Sequence, residues 1–501
     1  MGDVMSSATS VLIALASFGV LLPLIVFVHE YGHFKTARLC GMRVDAFSIG
    51  FGPALFGWTD RKGTRWKVSA IPLGGYVKFF GDANAASAGM RVGSDLAPAE
   101  GEEPQGPGAT QFKSERARLE AVLTEEEKRV CFHFKPIWQR MAVVAAGPFA
   151  NFVLAVLIFA GLFMAVGRDV TPPVVGEVIA GSAAESAGLS TGDEVLRIDG
   201  RRVRSFEDMQ SRVRLASDTL LDFEVERDGE RLRFAATPTR QTRTDAYGNE
   251  MRVGVLGFSP YIAPTVGAVS RGSPAAAAGF ETGDRVLSLD NEPVDTFYDL
   301  IDGFGARANQ EVPVEIERGG ERLVLTVRPE LTGVGEEAVG RVGLAPEPYE
   351  RRRYGPVSAV SESVVEVGTT IERTLTYLGR IVTGREDVRG LGGPVKIGQY
   401  AGQAVRSGFA MPDAEIALSN RLLTSLLNFL QLAALISVSI GFLNLLPVPV
   451  LDGGHLVFYA YEAVAGRPLP ERVQGAGFTV GLVMVASLMI FVVVNDVISL
   501  L

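Results

Sequence analysis

Four stretches of this 501-residue chain contain no Asp, Glu, Lys or Arg. Each is long enough to cross a bilayer, which takes about 20 apolar residues. They run 4–28, 141–167, 422–451 and 473–495, with 25, 27, 30 and 23 residues. The fourth is the plainest, reading VGLVMVASLMIFVVV from Val480 to Val494. The third ends in LLPVPVL, so its helix is expected to stop near Leu446, with an extended segment from Pro447. A cleaved leader would need a basic start and a short apolar core. Here the residues before Val11 carry Asp3 and no Lys or Arg, so the first stretch reads as a retained span. The pattern predicts a multi-span α-helical membrane protein with four transmembrane helices.

Basic residues flanking the spans set the expected orientation. Lys35, Arg38 and Arg43 follow the first span, and Lys128, Arg129, Lys135 and Arg140 precede the second. Beyond the second span stands Arg168, and 496–501 has no basic residue. The loop 34–140 is therefore expected in the cytoplasm, with 168–421 and both termini outside. Arg421, on the outer side of the third span, runs against the trend. Cys40 and Cys131 then fall in the reducing compartment, and two cysteines exclude a disulfide framework. A net charge of −9, from 57 acidic and 48 basic residues, argues against a nucleic-acid partner.

The soluble middle of the chain is duplicated. GSAAESAGLSTGDEVLRIDG (Gly181–Gly200) matches GSPAAAAGFETGDRVLSLDN (Gly272–Asn291) at an offset of 91 residues. Each copy reads as a short Ala-rich helix, a Gly turn, a strand (Val195, Leu196, Ile198; Val286, Leu287, Leu289) and a second turn. Asp228-Gly229 and Gly319-Gly320 then signal two-residue hairpins. This pattern resembles PDZ domains of the bacterial protease type, two of which would fill 168–258 and 259–345. Such domains bind extended peptides at a sheet edge; shielding another site is an equal alternative. From Val357 to Val382, apolar residues recur at three- and four-residue steps, which predicts an amphipathic helix on the membrane or on the paired domains. Gly81–Thr110 has no apolar periodicity and reads as a flexible loop.

The first span ends in VFVHEYGHF. On a helix His29 and His33, four apart, project from one face and can hold one metal ion, with Glu30 beside it. Ionisable residues at the end of an uncharged span are costly to bury and usually functional. A catalytic zinc takes three protein ligands and leaves a position open. NLLPVPVLDGGH offers Asn444, Asp452 and His455 as candidates for the third. Asp452, the first acidic residue after thirty uncharged ones and in an Asp-Gly-Gly turn, is the preferred ligand; His455 is the rival or a supporting residue.

Taken together, H-E-x-x-H at a first span, the duplicated PDZ-like segment and N-x-x-P-x-x-x-L-D-G in a third span resemble the site-2 protease family, in its bacterial regulator of sigma-E protease type. FSIGFGPALFGW (Phe47–Trp58), IPLGGYVK (Ile71–Lys78), AGPFANF (Ala146–Phe152) and GGPV (Gly392–Val395) carry the likeness through most of the chain. The resemblance implies a Zn2+ endopeptidase of the bacterial inner membrane that cleaves transmembrane segments. It implies His29, His33 and Asp452 as zinc ligands, Glu30 as catalytic base, and Asn444, Gly74 and Gly75 as substrate-binding residues. Implied substrates are single-span proteins of the lipid bilayer already cut by an upstream protease, of the anti-sigma factor kind, or remnant signal peptides. The periplasmic PDZ pair (α+β) would screen them. The expected organisation is a first span with H-E-x-x-H (1–40), a membrane-associated β segment (41–80), a cytoplasmic loop (81–140) and the second span (141–167). The two PDZ domains follow, then periplasmic amphipathic helices (350–420), the third span (421–455) and the fourth (473–496). The active site would lie near the cytoplasmic side. A membrane-tethered PDZ adaptor, a metal transporter and a protease of soluble peptides are the rival readings.

Overall fold

In the computed structural model, the described residues are 2–81, 115–244, 250–332, 339–349, 351–385, 392–409 and 417–498. Most of the low-complexity segment, 82–110, lies outside them. The chain divides into two compact units, Met1–Val166 with Tyr354–Leu501, and Gly167–Arg353.

The first unit is built on helices Gly2–Leu39, Ile137–Ala165, Leu418–Asn444 and Glu471–Ile498. Among the described residues, four helices are long and apolar enough to cross a membrane, and they carry most of each uncharged stretch, the third helix ending at Asn444 before 445–451. Leu12, Leu157, Val480 and Ile490 stand 64–68% exposed on them. Water opposes such surfaces and lipid does not, while each helix satisfies its own backbone as a bilayer requires.

The first helix continues beyond its uncharged stretch, through Lys35 and Arg38 to Leu39. Lys, Ala, Arg and Leu are good helix formers, and Arg38 in the last turn complements the helix dipole. Gly41, at φ +67°, then turns the chain into a β-hairpin. Its strands Val44–Thr59 and Arg65–Phe79 pair antiparallel with several register shifts, so that Phe47 is matched with both Val77 and Trp66. The ribbon therefore curls on itself. Val44, Phe47, Val77 and Phe79 bury its root against Phe34 and Val143, while Leu55, Phe56, Trp58 and Ile71 face outward from its far half.

Small residues let the spans approach closely. A side chain at Gly32 would strike the Ala146 carbonyl of the second span, and one at Gly441 would meet Pro148 and Asn151. The amphipathic helix forms as Pro356–Val382 and packs along the second and third spans, with Ala359 and Val367 against Phe159, Phe163 and Val438. Helix Pro394–Arg406 places Ala401 against Leu21 and Ile25 of the first span. The fourth span is clasped to that helix by buried Asp496, which accepts from the backbone N–H of Gly393, Val395 and Lys396 at 3.1–3.2 Å.

In the second unit the repeat is visible as two copies of one arrangement. Each has a four-stranded sheet, one holding Glu194–Ile198, Leu221–Arg227 and Glu230–Ala236, the other Arg285–Leu289, Val312–Arg318 and Glu321–Val327. The two hairpins turn at Asp228-Gly229 and Gly319-Gly320, all four residues at positive φ, as a tight two-residue turn demands. Both copies also share an ion pair. Arg227 binds Asp193 at 2.6 and 2.8 Å, and Arg318 binds Asp284 at 2.6 and 2.7 Å, with each guanidinium also reaching a glycine carbonyl. The Asp of each T-G-D motif is thus fully buried and structural.

Burial alone would raise the Asp284 carboxyl, but Arg318 and the Glu281 N–H outweigh it and hold it below the ordinary carboxylate range. A depressed native pKa stabilises above the unfolded value and is lost as pH falls through the native one. Asp284→Asn should therefore cost about 2–3 kcal/mol at neutral pH. The cost should shrink below about pH 4, near the unfolded carboxylate pKa. Hydrogen exchange across Val312–Arg318 in the full chain, measured at both pH values, reads the difference.

Candidate metal centre

His29 and His33 sit one turn apart on the first span, both buried. Asp452 is buried as the first residue of helix Asp452–Ala465, where the sequence suggested a turn. An acidic residue in a first turn is favoured by the exposed N–H groups and dipole of the helix. Gly453 and Gly454 let that helix start flush against the Leu445–Pro449 segment, because a side chain at either would strike its backbone carbonyls. The two histidines and Asp452 form a cluster whose ligand atoms all lie within 4.8 Å of one another.

His29 Nε2 and His33 Nε2 are 3.3 Å apart, and they lie 3.2 and 3.4 Å from Asp452 Oδ2. A point equidistant from atoms so spaced lies about 1.9 Å from each, just inside the roughly 2.0–2.2 Å of zinc bonds to His nitrogen and carboxylate oxygen. Three such bonds leave a tetrahedral position open. Asp452 Oδ2 is close to both rings yet accepts no aligned hydrogen bond, a costly state for a buried anion that a cation would relieve. The residues fit zinc.

The second span shapes this centre. Only the Nδ1–H of His33 can donate to the Val143 carbonyl, at 2.8 Å, which leaves Nε2 free for the cluster. Pro148 lacks an N–H and weakens the helical ladder beside that carbonyl. Gly147 makes room for the His33 ring, into which any Cβ would project. Asn151, fully buried, places Nδ2 3.3 Å from His29 Nδ1. Farther along, Arg140 forms a buried two-bond pair with Glu462, at 2.7 and 3.1 Å, and its guanidinium carbon lies 4.9 Å from the Tyr459 ring centre. That pair holds the Asp452 helix to the second span.

A profile of peptidase family M50 matches residues 17–488. The chain belongs to peptidase family M50. A relative from Agrobacterium fabrum is 37% identical over 484 residues, covering 97% of this chain and 95% of its own. The metalloprotease MmpA of Caulobacter vibrioides is 36% identical over 487 residues, at 97% and 95%. The regulator of sigma-E protease RseP of Salmonella typhimurium is 33% identical over 509 residues, at 97% and 99%. A solved PDZ domain from Listeria monocytogenes covers 18% of this chain and 90% of its own, at 18% identity and a TM-score of 0.15, too low to assign the fold of the repeats. With the His/His/Asp cluster in an M50 chain of four apolar helices, the protein is an intramembrane zinc metalloendopeptidase and a multi-pass inner-membrane protein.

Of the remaining residues singled out in the sequence, Glu30 is buried beside the cluster, and Gly75 lies against it. A side chain at Gly75 would come within 3.0 Å of Glu30 Cγ and 2.9 Å of Val26. Gly74, at φ +109°, is closed in by the Phe51 ring. Asn444 ends the third span, half-buried and outside the cluster of three, as is His455. In the sequence Arg140 counted only toward orientation, and Gly147 and Asn151 only as part of AGPFANF, with no role at the site for any of them. A polar Asn in the middle of an uncharged span was the available signal for Asn151.

Proposed function

We propose that this protease cleaves transmembrane segments of membrane-anchored substrates, with His29, His33 and Asp452 as the zinc ligands and Glu30 as general base. The convergence of three buried ligand atoms at zinc spacing, two of them on a helix of membrane composition, carries the reading. Zinc held there would polarise the scissile carbonyl and acidify a bound water. Glu30 takes the water proton and returns it to the leaving amine. A helical substrate must first unwind, and its freed N–H and C=O groups need partners that lipid lacks. The curled hairpin supplies a strand edge, and the absent side chain at Gly75 keeps the approach to Glu30 narrow but open. Gly74 turns that strand, and Asn444 donates to substrate backbone or to the developing oxyanion.

In this reading the two repeats are periplasmic PDZ domains that screen substrates shortened by an upstream protease, anti-sigma factors or remnant signal peptides among them. The active site faces the cytoplasmic side, with both termini outside. A groove of about 710 Å³ between helix Phe297–Gly305 and the Leu344–Pro346 strand supports capture of a peptide end by the second repeat. The regulator of sigma-E relative, matched over nearly its whole length, supports the substrate class.

The test is a single-span reporter reconstituted with the purified chain, beside its detached soluble domain. Cleavage only of the reporter that keeps its span is expected. Equal cleavage of the detached domain would point to a protease of soluble peptides instead.

A further inference from the structure

Asn151 lies on the second span, 122 positions from His29, and its side chain is the polar neighbour of His29 Nδ1 on the far side of the ring from the cluster. As placed, its Nδ2 points at Nδ1 from 3.3 Å, while its Oδ1 is buried with no hydrogen-bond partner. An amide N–H facing Nδ1 requires the ring proton on Nε2, inside the cluster, where the lone pair of His33 Nε2 lies 3.3 Å away. That arrangement suits the metal-free pair, because it puts a proton where a cation would sit. The two ends of a carboxamide have nearly the same volume, so a half-turn exchanges them without displacing a neighbour. The orphaned oxygen then accepts from Nδ1–H, and the Nε2 lone pair turns to the cluster.

We propose that Asn151 is a positioning residue that selects the tautomer of His29, its amide turning as the cluster passes from the metal-free to the metal-bound state. His33 has its tautomer set by a carbonyl that can only accept. His29 is held by a side chain that can present either a donor or an acceptor, so one of the two histidines is adjustable. The backbone carbonyl of Asn151, bonded to Ser437 Oγ at 2.9 Å, fixes its position while the side chain turns. Partners of this kind, bonded to the far nitrogen of a ligating histidine, typically change metal affinity by about 10–100-fold.

The inference rests on the reading of His29 as a zinc ligand, and the test separates the two. The full chain in detergent micelles is titrated with zinc against a chelator and with cobalt, whose visible spectrum reports ligand geometry. Asn151→Leu, which offers no acceptor, should bind zinc about 10–100-fold more weakly and alter the cobalt bands. Asn151→Asp, which presents an acceptor in either orientation, should bind at least as tightly as the native chain. A merely structural role would weaken both variants alike. Native affinity and spectrum in Asn151→Leu would overturn the proposal, as would an Asn151→Asp variant that binds weakly, and the latter decides the matter if the Leu variant does not fold. His29→Ala is the control. Native zinc affinity in that variant would overturn the ligand assignment itself, whereas weak binding there beside native binding in Asn151→Leu would overturn only the role of Asn151.

Discussion

Glu30→Gln is expected to lower cleavage of a membrane-embedded substrate by about 10²–10⁴-fold, the usual contribution of a positioned general base. The amide has nearly the volume of the carboxylate, so the packing of Val26 and Gly75 around residue 30 should survive. The three atoms proposed to hold zinc belong to other residues, so the metal should stay. What disappears is the capacity to take a proton from water inside a buried site. Loss of activity together with native zinc content is therefore the signature. In cells, single-span fragments should accumulate in the membrane of the variant, and a membrane proteome compared with that of the native strain would detect them. Undiminished cleavage would sink the assignment of Glu30.

The second large effect is expected at the Arg140–Glu462 pair. Removing one partner of a buried, two-bond ion pair leaves a charge without compensation and typically costs about 3–5 kcal/mol. Glu462 lies ten positions after Asp452 on one helix, about 15 Å along its axis at the helical rise, so this pair is a distant anchor for a metal ligand. Arg140→Met should loosen the whole Asp452 helix, raise hydrogen exchange across Asp452–Ala465 and weaken zinc binding, although residue 140 is not in the cluster. Joint replacement of both partners by Met should recover most of the loss, because no charge is then stranded. A double variant as impaired as the single one would show that the pair is not what holds the helix.

These contacts explain which parts of the molecule could be read in advance. The spans were legible because a bilayer excludes charge over a fixed length. The repeat was legible because each copy needs the same turn residues, and Asp228-Gly229 and Gly319-Gly320 do adopt the positive φ that their types suggest. His29 and His33 were legible because one helix sets their spacing. Asp452 was preferred to His455 from its place after the uncharged run, but the helix start that positions it was not legible, since a Gly-Gly pair permits either a turn or a helix start. Nor were the supports of the site. Val143, Asn151 and the Arg140–Glu462 pair act across 110 to 322 positions of sequence, and only packing brings them together. The first helix outlasts its uncharged stretch, 4–28, because good helix formers continue to Leu39, within the expected 1–40.

One zinc ion is expected between His29 and His33 of the first span and Asp452 of helix Asp452–Ala465. Metal analysis of the purified, zinc-equilibrated chain tests it directly when native protein is compared with Asp452→Ala. One zinc per native chain is expected, with little or none in the variant after the same wash, because the cluster loses its carboxylate. Equal zinc in both, or none in the native chain at saturating zinc, would contradict it.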